Sequence, residues 1–293
     1  MKTKKLGIRI INKLKLLKYL NIQSKIVLNG RRFKIPILAG VGFFNLFISE
    51  LWMIDLLKIV LPIEDKKFVD VGVNIGQTLL KVRSISSSID YIGFEPNPMC
   101  IHYVTRLIEE NEIKKTKLIP VGIADQTHIG ELHFFHDTDV DNSATILLEF
   151  RDKTKIRRKE YVPLFDITEV KRLINLDEIS VLKIDVEGAE LEVLRSFSTE
   201  LEKNRPFIFI EILPSYNKDY KYRVERQKEI ETLLNQLEYS IFRVIKQNEV
   251  LVNLKELPGI EVHSDLNNCE YVMVPNAKKE AFISSYQNWF NNK

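Results

Sequence analysis

Phe68-Val69-Asp70-Val71-Gly72-Val73-Asn74-Ile75-Gly76-Gln77 is a short apolar run that ends in an acid and a glycine-punctuated turn. It predicts a buried strand feeding a tight turn that opens a helix, the place where open α/β sheets bind nucleotide-like cofactors. The second small position of the turn is Asn74 instead of glycine. A pyrophosphate needs close backbone approach, so a dinucleotide site wants glycine there. S-adenosylmethionine has no phosphate. Its adenosine and amino-acid tail suit a glycine-poor turn preceded by an acid, and a methyl-donor site is the first expectation.

From Phe68 onward, strand-like and helix-like segments alternate, which implies parallel strands joined by helical crossovers. Strands are expected at residues 68–72, 90–95, 117–123, 131–136, 180–186, 207–213, 239–245 and 270–274. Helices are expected at 76–85, 98–110, 189–197 and 223–237, with a last one from about Ala277. The stretch through Arg158, with Asp137-Thr138-Asp139-Val140-Asp141-Asn142-Ser143, lacks periodicity and reads as an excursion covering a site. The final two strands lack a helix between them and should pair antiparallel. Upstream, Lys25 to Pro36 reads as a hairpin around Asn29-Gly30, and residues 49–61 as a helix. The expected organisation is an N-terminal extension over 1–62 and a main α/β domain over 63–293.

The chain has 293 residues, 45% of them hydrophobic, enough for one large core. Its 43 basic and 40 acidic residues are unevenly placed: residues 1–49 hold eleven Lys or Arg, and Glu50 is the first acid. Leu6, Ile10, Leu14 and Leu17 share a helical stripe, with Arg9, Lys13 and Lys15 largely off it. This basic amphipathic helix suits either an anionic membrane surface or docking on the protein's own body, the latter being the commoner arrangement. Arg9, Lys13, Lys15 and Lys18 interrupt every candidate signal segment. The window 41–61 carries Glu50, Asp55 and Lys58, too many charges for a spanning helix. Cys100 and Cys269 form no metal-binding spacing. A cytoplasmic protein is expected, peripheral at the inner membrane face if the basic N-terminus binds anionic lipid. Nucleic acid is not an expected partner, because the basic residues lack an aromatic stacking platform. No oligomeric state is legible.

Glu95 ends Tyr91-Ile92-Gly93-Phe94-Glu95-Pro96-Asn97-Pro98 at the tip of the second strand, where an acid can accept hydrogen bonds from both hydroxyls of a ribose. Pro96 and Pro98 stop the strand and start the next helix. Asp125 follows the third strand, placed either to meet an adenine amino group or to serve a turn. In Val181-Leu182-Lys183-Ile184-Asp185-Val186-Glu187-Gly188-Ala189-Glu190, alternation puts Lys183, Asp185 and Glu187 on one side of a central strand. Charges there must be paired or lie at its open carboxyl end. Glu211, ending Phe207-Ile208-Phe209-Ile210-Glu211, sits one strand further along the same rim. Asp185, Glu187 and Glu211 are therefore the candidate catalytic carboxylates, one of them raised in pKa to remove an acceptor's proton. His133 and His136 are further candidate bases. The oxygen-rich set would also suit Mg²⁺, but no spacing demands a metal and none is assigned.

Taken together, Asp70-Val71-Gly72-Val73-Asn74-Ile75-Gly76-Gln77-Thr78, Phe94-Glu95-Pro96-Asn97-Pro98, Asn142-Ser143, Leu182 to Glu190 and Arg205 to Glu211 resemble the FkbM-type family of S-adenosylmethionine-dependent methyltransferases. The resemblance spans roughly residues 68–213. It implies a class I methyltransferase sheet, Rossmann-like, with seven strands and the last antiparallel. It also implies methylation of hydroxyl groups, often on sugars or polyketide-type products. Carried over by position, Asp70, Gly72, Asn74, Gly76 and Glu95 would bind the cofactor, and Asp185 and Glu187 would line the reaction centre. Gln77, Thr78, Pro96, Asn97 and Asp125 complete the expected cofactor set. Val73 departs from the alanine more usual in the family. The expected acceptor is a small-molecule or glycan hydroxyl. Two other readings stand beside this one: an NAD-linked oxidoreductase, which Asn74 argues against, and a non-catalytic scaffold in a glycan-assembly complex.

Overall fold

The computed structural model describes residues 2–293, with side chains from residue 6 onward. Helix α1 (Lys2–Lys13) leads into β1 (Asn21–Leu28) and β2 (Arg31–Leu38). These pair antiparallel with Leu28 opposite Arg31, so Asn29 and Gly30, both at positive φ, make the two-residue turn that Asn-Gly predicts. Helix α2 (Trp52–Val60) starts later than the expected residue 49. Glu50, at φ +52°, cannot belong to a right-handed helix.

The alternating part begins with β3 (Lys67–Val71), α3 (Gln77–Ile85), β4 (Asp90–Phe94), α4 (Pro98–Glu110) and β5 (Thr116–Ile119). The expected strand 117–123 is broken, because Pro120 has no N–H to continue the ladder. Its second half becomes β6 (Gly122–Ile123), which joins β7 (His128–Phe134) and β8 (Arg158–Phe165) in a small separate sheet of order β6-β8-β7. Strand β8 begins where the expected loop-rich stretch ends, in a segment where no strand is expected, since Pro163 masks the alternation of its buried Val162 and Leu164.

There follow α5 (Ile167–Lys171), β9 (Ile179–Ile184), α6 (Glu190–Ser196), α7 (Ser198–Asn204), β10 (Phe207–Glu211) and α8 (Lys221–Gln236). The chain ends with β11 (Tyr239–Gln247), β12 (Val250–Leu257), β13 (Glu270–Pro275) and α9 (Lys279–Asn291).

Among the described residues the main sheet has eight strands in the order β12-β11-β13-β10-β9-β3-β4-β5. From β10 to β5 all neighbours are parallel, while β13 runs antiparallel between β10 and β11. The additional strand relative to the expected seven is β12, hairpin partner of β11. Its turn is Asn248-Glu249, both at positive φ, and a Glu where glycine is usual hides the hairpin in the sequence.

Side chains alternate across the strands and bury both faces, as a central parallel sheet requires. Phe68, Tyr91, Val181, Phe209 and Val272 pack with α2, α3, α4 and α9, and the same cluster takes in Ile35 and Ile37 of the hairpin. Val69, Ile92, Leu182, Ile208 and Met273 pack on the opposite side with α5 to α8. From β3 the chain winds outward to β5, then returns through β9 on the other flank. The crevice outside the carboxyl ends of β3 and β9 is thus the topological switch point. Among the described residues no helix is long and apolar enough to cross a membrane.

Candidate active site

A cleft of about 1190 Å³ opens at that switch point. Its floor is the turn after β3. Gly72 has φ +88°, and a Cβ there would lie 1.9 Å from the Asp185 carbonyl oxygen, so glycine lets the ends of β3 and β9 touch through backbone. Asn74 has φ +48°, a left-handed conformation that Asn tolerates better than most residues. Its N–H donates to Glu95 Oε2 at 2.7 Å, while the N–H of Asn97 donates to Oε1 at 2.8 Å. Glu95 is therefore clasped by two backbone amides at the cleft wall. Burial pushes its pKa up to about 7 even though both amides oppose the shift.

Asn97 caps α4 by accepting from Met99 N at 2.9 Å, with Pro98 in the first turn, and its Nδ2 donates to Asp139 O at 2.9 Å. This ties the 137–146 excursion over the cleft, as its lack of periodicity predicts. Gly76, Gln77, Thr78 and Pro96 stand at the start of α3 and the end of β4; Gln77, Thr78 and Pro96 line the cleft.

Asp70 lies behind the wall. It is wholly buried, accepts from Tyr91 O–H and sits 3.1 Å from Lys183 Nζ. Lys183 also donates to Gly72 O at 2.7 Å and approaches Asp185 Oδ2 to 3.3 Å. Burial alone would lower the pKa of Lys183, but the charges of Asp185 and Asp70 outweigh it and hold the ammonium above its ordinary value. Asp70 reaches the cleft through Lys183, making it a positioning residue. Asp125 stands outside the lining, half-exposed and 3.9 Å from Arg195.

Asp185, Glu187 and Glu211 do converge. Each offers an oxygen within 4.8 Å of the others. Glu187, at φ +55°, holds a strained conformation of the kind that clusters at functional sites. It accepts a hydrogen bond from Arg151, and Thr145 Oγ1 donates to its carbonyl at 2.8 Å. Burial, then the Asp185 charge, pushes Glu187 up to about 7. Burial and the charges of Asp185 and Glu187 hold Glu211 well above the ordinary carboxyl range. Lys183 and Arg151 already serve two of the three carboxylates.

His136 lines the cleft with its Nδ1 2.9 Å from Asp141 Oδ1, whereas His133 turns to Glu131 at 3.2 Å and does not line it. Sequence reasoning missed the contribution of the N-terminal extension: Phe43, Phe44, Phe47, Ser49 and Glu50 line the same cleft. Asn45 Nδ2 donates to Ile75 O at 2.7 Å and Ser49 Oγ to Gln77 Oε1 at 3.0 Å, so the extension buttresses the glycine turn. The available signal was the Gly40-x-Gly42-Phe43-Phe44 cluster. Arg151, inside the aperiodic stretch, left none.

The acidic cleft carries a stability signature. Glu95 and Glu187 are held near 7, Glu190 is pushed by burial to about 8, and Glu211 is raised as well. Between the ordinary carboxyl range and these raised values, the folded state binds more protons than the unfolded one, so stability falls as pH rises. Only His263, lowered by burial, pulls the other way among the shifted histidines. The unliganded protein should melt several degrees lower at about pH 8 than at about pH 5. A flat or rising melting profile would remove this account of the cleft.

Comparison with known protein families matches residues 70–241 to the Methyltransferase FkbM domain. Methyltransferase sdnD of Sordaria araneosa is 28% identical over 159 residues, covering 45% of this chain and 60% of that protein. Methyltransferase 1 of Beauveria bassiana (strain ARSEF 2860) is 26% identical over 172 residues, covering 53% and 68%. The crystal structure of Methyltransferase FkbM from Methylobacillus flagellatus KT aligns with TM-score 0.43 and 15% identity, over 71% of this chain and 43% of that one. SAH-bound Podospora anserina methyltransferase PaMTH1 aligns with TM-score 0.40 and 12% identity, over 77% and 76%.

Proposed function

The chain belongs to the FkbM methyltransferase family, and from that premise we propose that it is an S-adenosylmethionine-dependent O-methyltransferase whose acceptor is a hydroxyl of a sugar, glycan or glycolipid precursor. The observation that carries the reading is the charge of the cleft. Asp137, Asp139, Asp141 and Asp185 line it together with Glu50, Glu95, Glu187 and Glu211, against Lys15, Lys18 and Lys183, an excess of carboxylates that favours a cationic, phosphate-free ligand and disfavours the pyrophosphate of a dinucleotide.

S-adenosylmethionine, when bound, supplies an already activated methyl on a sulfonium. The protein then has to hold, orient and deprotonate. Glu95, fixed by the amides of Asn74 and Asn97, keeps lone pairs for a ribose diol. The turn from Gly72 to Thr78 takes the amino-acid end, and Asp185, oriented by Lys183, holds positive charge at the rim. Glu187, near 7, accepts the proton of the acceptor hydroxyl, and Glu211, with an oxygen within 4.8 Å of it, orients that hydroxyl. The 137–146 excursion excludes water above them.

Titration calorimetry of the full chain with S-adenosylmethionine tests the cofactor. Glu95→Gln should weaken that binding by roughly 10- to 100-fold, because two charge-assisted hydrogen bonds become neutral ones. No heat with the methyl donor, or a melting temperature raised by NAD instead, would sink the reading. Transfer of a labelled methyl to glycan fractions, read by mass spectrometry, tests the acceptor class.

A further inference from the structure

We infer that the outer face of α1 docks on an anionic bilayer, so that the cleft opens beside the membrane surface and its acceptor is a membrane-anchored hydroxyl. The second half of this statement rests on the methyl-transfer reading; the first does not.

The apolar residues of α1 divide into two rows. Ile8 is buried and Ile11 half-buried against the core, and that row holds the helix to the body. Leu6, Ile10 and Leu14, spaced by four, are 57%, 53% and 62% exposed. The helical bond from Leu14 N to Ile10 O at 3.0 Å keeps the third of them in line with the others. Three large aliphatic side chains in a row on one helix face, left in water, form an unpartnered apolar stripe. The sequence stripe was expected to include Leu17, but Leu17 turns inward and is buried. The helix therefore satisfies its docking on the body with one row and leaves the other free.

Charge selects the occupant. Residues 1–49 hold eleven Lys or Arg and no acid. Arg9, Lys13, Lys15 and Lys18 are exposed, and none forms an ion pair among the described residues. Two copies meeting through this face would bring uncompensated like charge together. An anionic lipid surface accepts both the apolar row and the charge. Position links this face to the site: Asn12, Lys15 and Lys18, together with Phe44 at 66% exposure, line the cleft. Arg9 lies over the ring of Phe47, another lining residue, at 4.2 Å and anchors the helix at that rim. A lipid-linked acceptor would reach the cleft without leaving the surface.

Flotation of the full chain with phosphatidylcholine vesicles, with and without phosphatidylglycerol, provides the test. The chain should float with the anionic vesicles, and partitioning should fall on the order of tenfold or more when Leu6→Gln, Ile10→Gln and Leu14→Gln are combined. Unchanged melting and unchanged S-adenosylmethionine titration would establish that the variant is folded. Added salt should weaken the wild-type interaction. Equal flotation of wild type and variant, or no preference for anionic lipid, overturns the proposal. So does a wild-type dimer in sedimentation that the triple variant converts to monomer, since the row would then belong to a second copy. A chain that floats but fails to bind the methyl donor would leave the docking face standing and remove the methyl-transfer reading alone.

Discussion

Lys183→Met should lower the melting temperature by about 10 °C and strip the cleft of its methyl-donor affinity. Lys183 is almost fully buried and is the cation that faces wholly buried Asp70 at 3.1 Å and Asp185 at 3.3 Å. Breaking a buried pair by removing one partner costs about 3–5 kcal/mol, because the other charge is left without compensation. In a chain of this size each kcal/mol moves the midpoint by a few degrees. The same ammonium donates to Gly72 O at 2.7 Å, so its loss also frees the turn that floors the cleft. The double variant Asp70→Asn with Lys183→Met should recover part of the stability while leaving Asp185 unguided. Thermal denaturation and titration calorimetry on the three proteins decide the matter. A single variant that melts with wild type would show that burial holds Asp70 neutral, without need of Lys183.

The second large effect belongs to Glu187. Glu187→Gln keeps the shape of the side chain but removes the proton acceptor, and methyl transfer should slow by about 10²- to 10⁴-fold in kcat. Its pKa, raised to about 7 by burial and by the Asp185 charge, sets the pH dependence. The ionised form is the base, so the wild-type rate should climb as pH rises through about 7 and level off above it; the variant should lack that limb. Affinity for the methyl donor should change little, which separates this residue from Glu95. Retention of kcat within a fewfold, with the limb unmoved, would transfer the role to His136, which lies against Asp141 at 2.9 Å.

How much of this was legible beforehand varied with the kind of interaction. The βα turn, its acid at the next strand tip and the carboxylates ending β9 and β10 are local patterns, written in consecutive residues and carried to one rim by right-handed parallel winding. The hairpin at Asn29-Gly30 was equally plain, since its turn residues accept positive φ. The hairpin joining β11 and β12 was hidden because Asn248-Glu249 takes the same geometry without the glycine that announces it. Strand β8 is masked by Pro163, and the break between β5 and β6 lies at Pro120, which has no N–H to carry the ladder on.

Sequence alone determined the sheet class, the phosphate-free character of the turn and the convergence of Asp185, Glu187 and Glu211, because periodicity and strand-end position are properties of contiguous residues. Only the folded chain decided that Asp70 stands behind the wall holding Lys183, that Asp125 is outside, that Arg151 serves Glu187, and that α1 buries Ile8 while exposing Leu6, Ile10 and Leu14. Those outcomes depend on which surface each side chain meets across gaps of tens to more than a hundred residues. No local pattern encodes that choice; close packing selects it when the helices settle on the sheet.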